Sequence, residues 1–370
     1  MARFPLTRFP TRASRPTHTG LHRERVRRVA TVAMSLGLLS ARDWGGPALR
    51  GHSAGVPRPP QTPAGLWIAS TSAPALLRLA PAQLVEDGHV SPASVVTPRG
   101  IPLHSLVGAA FDTAGRLWIT DQGDSLLLAL SPMELDAPAS PAVASIITAT
   151  ARSLSAPVGL AFDARNRLWV ANFGNGTLVR FDPAQIAATG APTPAVIIAG
   201  LHRPTALAFD AAGSLWVSDM KAQTIVAYGA DQLEASGTPA PRVRIAVTGD
   251  TLAAPAGLAF DAPGNLWVVN VGNGTVVGFG AAQLAASGVR APQVSLAMHH
   301  GGSAGAPAGL AFDDAGNLWV VELDGIVSKF TRDQLVASGT PTPSVSVTLD
   351  DHALLWGAAF WPRPRGLPLH

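Results

Sequence analysis

One phrase recurs along this chain. Pro255 to Phe279 reads PAGLAFDAPGNLWVVNVGNGTVVGF, Pro157 opens PVGLAFDARNRLWVANFGNGTLVRF, and Pro307 opens PAGLAFDDAGNLWVVE. A fixed period of this kind restricts the chain to folds made by stacking one supersecondary unit. Two markers measure it. Leu-Trp recurs with Trp67, Trp118, Trp169, Trp216, Trp267 and Trp319, at spacings of 51, 51, 47, 51 and 52. Ala-Phe recurs with Phe111, Phe162, Phe209, Phe260, Phe312 and Phe360. The two sets are out of step: no Ala-Phe precedes the first Leu-Trp, and no Leu-Trp follows the last Ala-Phe.

Each unit carries four strand signals. In the fifth copy they are Gly257 to Asp261, Asn265 to Asn270, Thr275 to Phe279 and Gln293 to Met298. Asp-Ala-Pro-Gly joins the first two as a tight turn, since Asp bonds nearby backbone and Gly tolerates positive φ. Asn273-Gly274 joins the next two as a hairpin. Within AAQLAASGVRAP, Gln283 to Ser287 reads as one helical turn and Gly288 as its stop. Four antiparallel strands per repeat, six times over, predict an all-β, six-bladed propeller. Its Trp and Phe markers fill the space between blades. The innermost strand of the first blade comes from Gly357 to Phe360, so strands from both termini close the ring and hide its edges.

Composition agrees. Only 14% of residues are charged, against about 25% in an average soluble domain, which suits sheets buried on both faces. No apolar run reaches the roughly 20 residues of a membrane span. Residues 1–60 hold 11 arginines against Glu24 and Asp43, a net +9, while the rest hold 16 basic and 22 acidic groups, a net −6. The basic charge therefore belongs to the leader, and the body is no nucleic-acid binder. The absence of cysteine excludes disulfides, thiolate nucleophiles and Cys-held metals.

Residues 1–62 read as a basic leader and 63–370 as the propeller. Arg23 to Arg28 followed by the uncharged Val29 to Ala41 has the order of a signal peptide, which places the mature protein outside the cytoplasm. The other reading is a disordered leader from a misplaced start codon and a cytoplasmic protein. Residues 43–62, rich in Gly and Pro, read as linker.

The unit P-x-G-L-A-F-D-x-x-G-N-L-W-V resembles NHL repeats and, more broadly, the six-bladed propellers of the gluconolactonase/regucalcin-like superfamily, over about residues 63–362. The resemblance implies fold more than activity, because NHL propellers serve as enzymes, interaction modules and regulators. The enzymes of that superfamily carry a divalent metal in the channel, with an Asn just before one inner Gly-Leu. Here those positions hold Val107, Val158, Thr205, Ala256, Ala308 and Trp356, without an Asn. Only the third ligand type, an Asp three residues after a second-strand aromatic, has matches, Asp121 and Asp219.

A polar residue stands three positions after each Leu-Trp tryptophan: Ser70, Asp121, Asn172, Asp219, Asn270 and Glu322. In a propeller these end the second strands at one channel mouth. As a ring they are candidate ligand-binding residues, with Asp121, Asp219 and Glu322 as metal ligands for Ca²⁺ or another divalent cation. Equally, such residues bond loop backbone where a strand leaves the core. His104, His202 and His352 lie on loops at the same rim, as candidate general bases. Seven-bladed propellers of the streptogramin lyase kind use a His on such a face. As scattered loop residues, the three are also ordinary solvated surface. No G-x-S-x-G, H-E-x-x-H or phosphate loop occurs.

The expected function is a non-catalytic binding scaffold, exported and monomeric, taking a protein, glycan or small molecule at the channel mouth. The alternative is a divalent-metal-dependent hydrolase, lactonase or lyase using the polar ring.

Overall fold

The computed structural model describes residues 61–136, 141–148, 150, 153–300, 303–349, 354–365 and 367. The basic leader up to residue 60 and His352 lie outside them. Six blades of four antiparallel strands follow one another along the chain, beside a small two-stranded pair of His299–His300 with Ser303–Ala304; the fold is an all-β, six-bladed propeller. Blade 2 shows the pattern, with strands Leu106–Phe111, Leu117–Asp121, Leu126–Leu130 and Ser145–Thr148 from inside to outside. Blade 1 takes its innermost strand, Leu355–Trp361, from the C-terminal end of the chain. That strand pairs antiparallel with Gly65–Ser70, setting Phe360 opposite Leu66 and Trp361 opposite Gly65. The six inner strands touch in cyclic order, so Leu355–Trp361 contacts both Leu106–Phe111 and Pro307–Phe312. No helix among the described residues is long and apolar enough to cross a membrane.

The sequence pattern explains the blades. A strand covered on both faces needs no polar alternation, and Leu266–Asn270 is buried at every position. Between blades, the Trp of one sheet meets the Phe of the next edge-on: Trp67 on Phe111, Trp118 on Phe162, Trp216 on Phe260, with centroids 5.9–6.4 Å apart. The indoles of Trp118, Trp216, Trp267 and Trp319 also donate to the turn aspartate six residues earlier, as Trp267 Nε1 does to Asp261 Oδ2 at 3.0 Å. The same Asp261 accepts the N–H of Asn265, closing the turn. One carboxylate therefore fixes both a tight turn and the rotamer of an interblade aromatic.

The connection after the third strand departs from the expected helical turn. Ala281–Ala285 is a 3₁₀ turn, and Gly288 does not end it in a left-handed conformation. Instead Gly288–Val289 continues extended and pairs in parallel with Ile245 and Ala246, on the outer strand of blade 4. Gly88 pairs with Val347 in the same way, and Gly190, Gly237 and Gly339 form single parallel bridges to Ile147, Ile198 and Leu296. The residue before each glycine adds a side-chain bond, as where the Arg244 N–H donates to Ser287 Oγ at 3.0 Å. The long connection thus covers the neighbouring blade's outer edge, which would otherwise offer unpaired backbone to other chains.

Candidate functional site

Each inner strand bulges near a residue pair that is x-Gly in five blades and Thr205-Ala206 in blade 4, as Leu106–Phe111 does between Leu106 and Ala109. A side chain at Gly108 would collide with the Val158 carbonyl of the next blade, and one at Gly309 with the Trp356 carbonyl. Glycine there lets neighbouring inner strands approach closely around the axis. The wall they form encloses a channel of about 480 Å³, within the roughly 300–1,000 Å³ of small-molecule sites.

The wall is apolar. Its first tier is Val107, Val158, Thr205, Ala256, Ala308 and Trp356, the positions where an inherited metal site would need Asn. Leu160, Leu207, Leu258 and Leu310 form the next tier. Thr205 Oγ1 is occupied locally, 3.0 Å from the Pro255 carbonyl and 2.8 Å from Ser218 Oγ. Indoles aside, the other polar side chain among the described lining residues is Arg363. It stands with Pro364 and Leu367 where the chain runs on from the last strand.

The polar ring lies elsewhere. Ser70, Asp121, Asn172, Asp219, Asn270 and Glu322 are buried, none more than 1% exposed, and none lines the channel. Most of their polar atoms serve the protein itself, while Ser70 Oγ and Asn270 Oδ1 are buried without a hydrogen bond. Asp121 accepts the N–H groups of His104 (3.0 Å), Ser105 (3.1 Å) and Gly123 (3.0 Å). Asp219 accepts those of His202 (2.9 Å) and Arg203 (3.0 Å). Asn172 accepts the Ser155 N–H at 3.0 Å, Asn270 donates to the Thr251 carbonyl at 2.9 Å, and Glu322 accepts the Ser328 hydroxyl at 3.0 Å. Apart from the Gly123 bond, which closes the turn to the third strand, each of these bonds to backbone ties the end of a second strand to the loop that leads into its own blade's inner strand.

The expected metal trio is not gathered. Asp121, Asp219 and Glu322 stand on blades 2, 4 and 6. Among the described residues, the group whose ligand atoms lie within 4.8 Å of one another is His104, Asp121 and Asp124. The three carboxylates named from the sequence therefore do not fit one Ca²⁺ or other divalent ion. The physical reason is the demand of the loops, whose amides need acceptors once buried.

His104 is exposed, with Nδ1 2.6 Å from Asp124 Oδ2. Its hydrogen bond to Asp124, reinforced by that carboxylate's charge, holds the imidazolium above its ordinary value of 6.5. His202 is similarly exposed, with Nδ1 3.4 Å from Asp219 Oδ2. His352 lies outside the described residues. Arg363, at the other end of the blades, has its guanidinium pulled down by burial, an effect opposed by the charge of Asp112. A pattern of metal ligands at these positions does not reveal the channel wall, which is apolar. The available signal was Val, Ala or Trp before the inner glycine in five blades, in register with Thr205 in the sixth.

No family model and no curated protein matches this chain. Solved structures do resemble it. Virginiamycin B lyase from Staphylococcus aureus aligns over 77% of this chain and 86% of its own, at 11% identity and a TM-score of 0.50. A streptogramin B lyase aligns over 81% and 92%, at 14% identity and 0.49. A catalytically inactive variant of the S. aureus lyase with quinupristin aligns over 75% and 84%, at 11% and 0.47. At 11% identity the likeness to the first of these is one of architecture, and what it supports is the fold already described, an all-β propeller.

Proposed function

We propose that this propeller is a non-catalytic binding module, working outside the cytoplasm, that takes an apolar small molecule into its central channel. One observation carries the reading: a ligand-sized cavity on the axis whose wall is almost wholly Val, Leu, Ala, Gly and aromatic. Burial of hydrocarbon there is worth about 25 cal/mol per Å², and the wall offers few groups that would reward a sugar or a hydrated ion. Titration calorimetry with 1-decanol tests it. Saturable one-to-one binding is expected, and Ala109→Phe or Ala358→Phe, which put a phenyl into the channel, should weaken it about tenfold or more. No heat of binding up to the solubility limit of the alcohol would end this reading.

A second reading, an acid–base or metal-assisted lyase or hydrolase, draws on the rim cluster of His104, Asp121 and Asp124. A histidine paired with a carboxylate is suited to proton transfer. Asp121 contributes least to such a site, since its oxygens already hold four loop amides.

A further inference from the structure

The chain that follows the last inner strand does more than end the blade. Trp361 packs on Phe111 of blade 2, with ring centroids 5.0 Å apart. Four residues later the Arg365 N–H donates to Asp314 Oδ1 of blade 6 at 2.6 Å, and Leu367 packs on the cluster that contains Phe312. Blades 2 and 6 flank blade 1 on opposite sides. The segment is therefore anchored on both flanks, at the turn-side end of the channel where Phe111, Phe312 and Phe360 complete the wall. Arg363 lies between these anchors and is one of the residues that line the channel.

This arginine is poorly satisfied. Its Nη1 is shielded from solvent and makes no hydrogen bond. Asp112, the carboxylate whose charge it feels, is already committed. Asp112 Oδ1 accepts the N–H groups of Ala114 and Arg116, and Oδ2 accepts Arg116 Nε at 2.6 Å and Trp118 Nε1 at 3.2 Å. A shielded donor of a cation left without an acceptor is unfavourable, and Arg363 is one of the residues that line a cavity of ligand size. Guanidinium groups recognise carboxylates with two parallel hydrogen bonds.

Resting on the apolar-ligand reading above, we propose that the channel's ligand is an aliphatic carboxylate, its anionic end held by Arg363 and its hydrocarbon lying among Leu160, Leu207, Leu258 and Leu310. The sign of selectivity is the test. An apolar cavity without a cation favours a neutral alcohol over the carboxylate of equal length, because burying an unpaired charge is costly. Arg363 reverses that order.

The experiment is calorimetric titration of the full chain with decanoate and with 1-decanol at pH 7.5. Decanoate should bind about tenfold more tightly or better, Arg363→Gln should abolish the preference while leaving decanol binding in place, and Arg363→Lys should restore part of it. Equal binding of the two ligands, or a preference that survives Arg363→Gln, overturns the carboxylate assignment and leaves the apolar channel standing. Binding of neither ligand overturns both. The comparison of the two ligands on the unaltered protein decides the question even if a variant fails to fold.

Discussion

At the scale of single residues, burial decides what a carboxylate can do. Asp121 and Asp124 are three positions apart, yet the first is wholly buried among loop amides and the second is free to meet the His104 ring at 2.6 Å. The Asp124 hydrogen bond raises the His104 midpoint above 6.5, and Asp124→Asn should bring it back toward that value. Because the folded midpoint is the raised one, the pair's contribution to stability is complete below about pH 6.5 and fades as pH rises through the folded midpoint. A proton NMR titration of the His104 ring would check this, and identical midpoints in the two proteins would show that the pair has no influence. The positions of the polar ring were legible in the sequence, since each falls a fixed step after a Trp. The direction of the side chains was not. Strands buried on both faces lack the alternation that tells inside from outside, so Ser70 to Glu322 could be placed at strand ends but not aimed.

At the scale of elements, the connection after the third strand is a small machine for covering edges. Gln283 works in both directions: its Oε1 accepts the Gly280 N–H at 2.9 Å, and its Nε2 donates to the Ala291 carbonyl at 2.8 Å. Gln83, Gln185, Gln232 and Gln334 repeat the arrangement, each reaching the carbonyl eight residues on. Blade 2 has Glu134 instead, which accepts the Ser131 N–H and has no donor for the second bond. Gln283→Glu should therefore cost about 0.5–1.5 kcal/mol, read as a lower urea midpoint at unchanged slope; an unchanged midpoint would mean the bond adds nothing. The sequence marked this turn by its repeated Gln-Leu and Ser-Gly pairs but hid its purpose. A parallel bridge joins residues more than 40 positions apart, such as Ile245 and Gly288, and no local propensity encodes that.

At the scale of the whole molecule, the out-of-step markers foretold an inner strand for blade 1 from the far end of the chain, and Leu355–Trp361 occupies that place. Phe360 also meets Trp319, and Trp361 meets Phe111, so this one strand serves blades 1, 2 and 6. Removing residues 355–370 should bare the edge of Gly65–Ser70 and turn a single sharp thermal transition into a broad one at lower temperature. Size-exclusion chromatography should show association through the open edge, and a peptide of residues 354–370 added in trans should reverse both effects. A truncated protein that melts like the full chain would show that the ring does not depend on this seam.

The seam also sets a clock. Leu66 and Phe360 face each other across one pair of strands, yet they leave the ribosome far apart in time. At ordinary elongation rates of about 5–20 residues per second, the interval is roughly 15–60 s. Throughout it the second strand of blade 1 has no inner neighbour and can pair with another nascent copy. Synthesis of this chain therefore favours conditions that keep new copies apart, either by holding the chain unfolded until it is complete or by spacing ribosomes along the message.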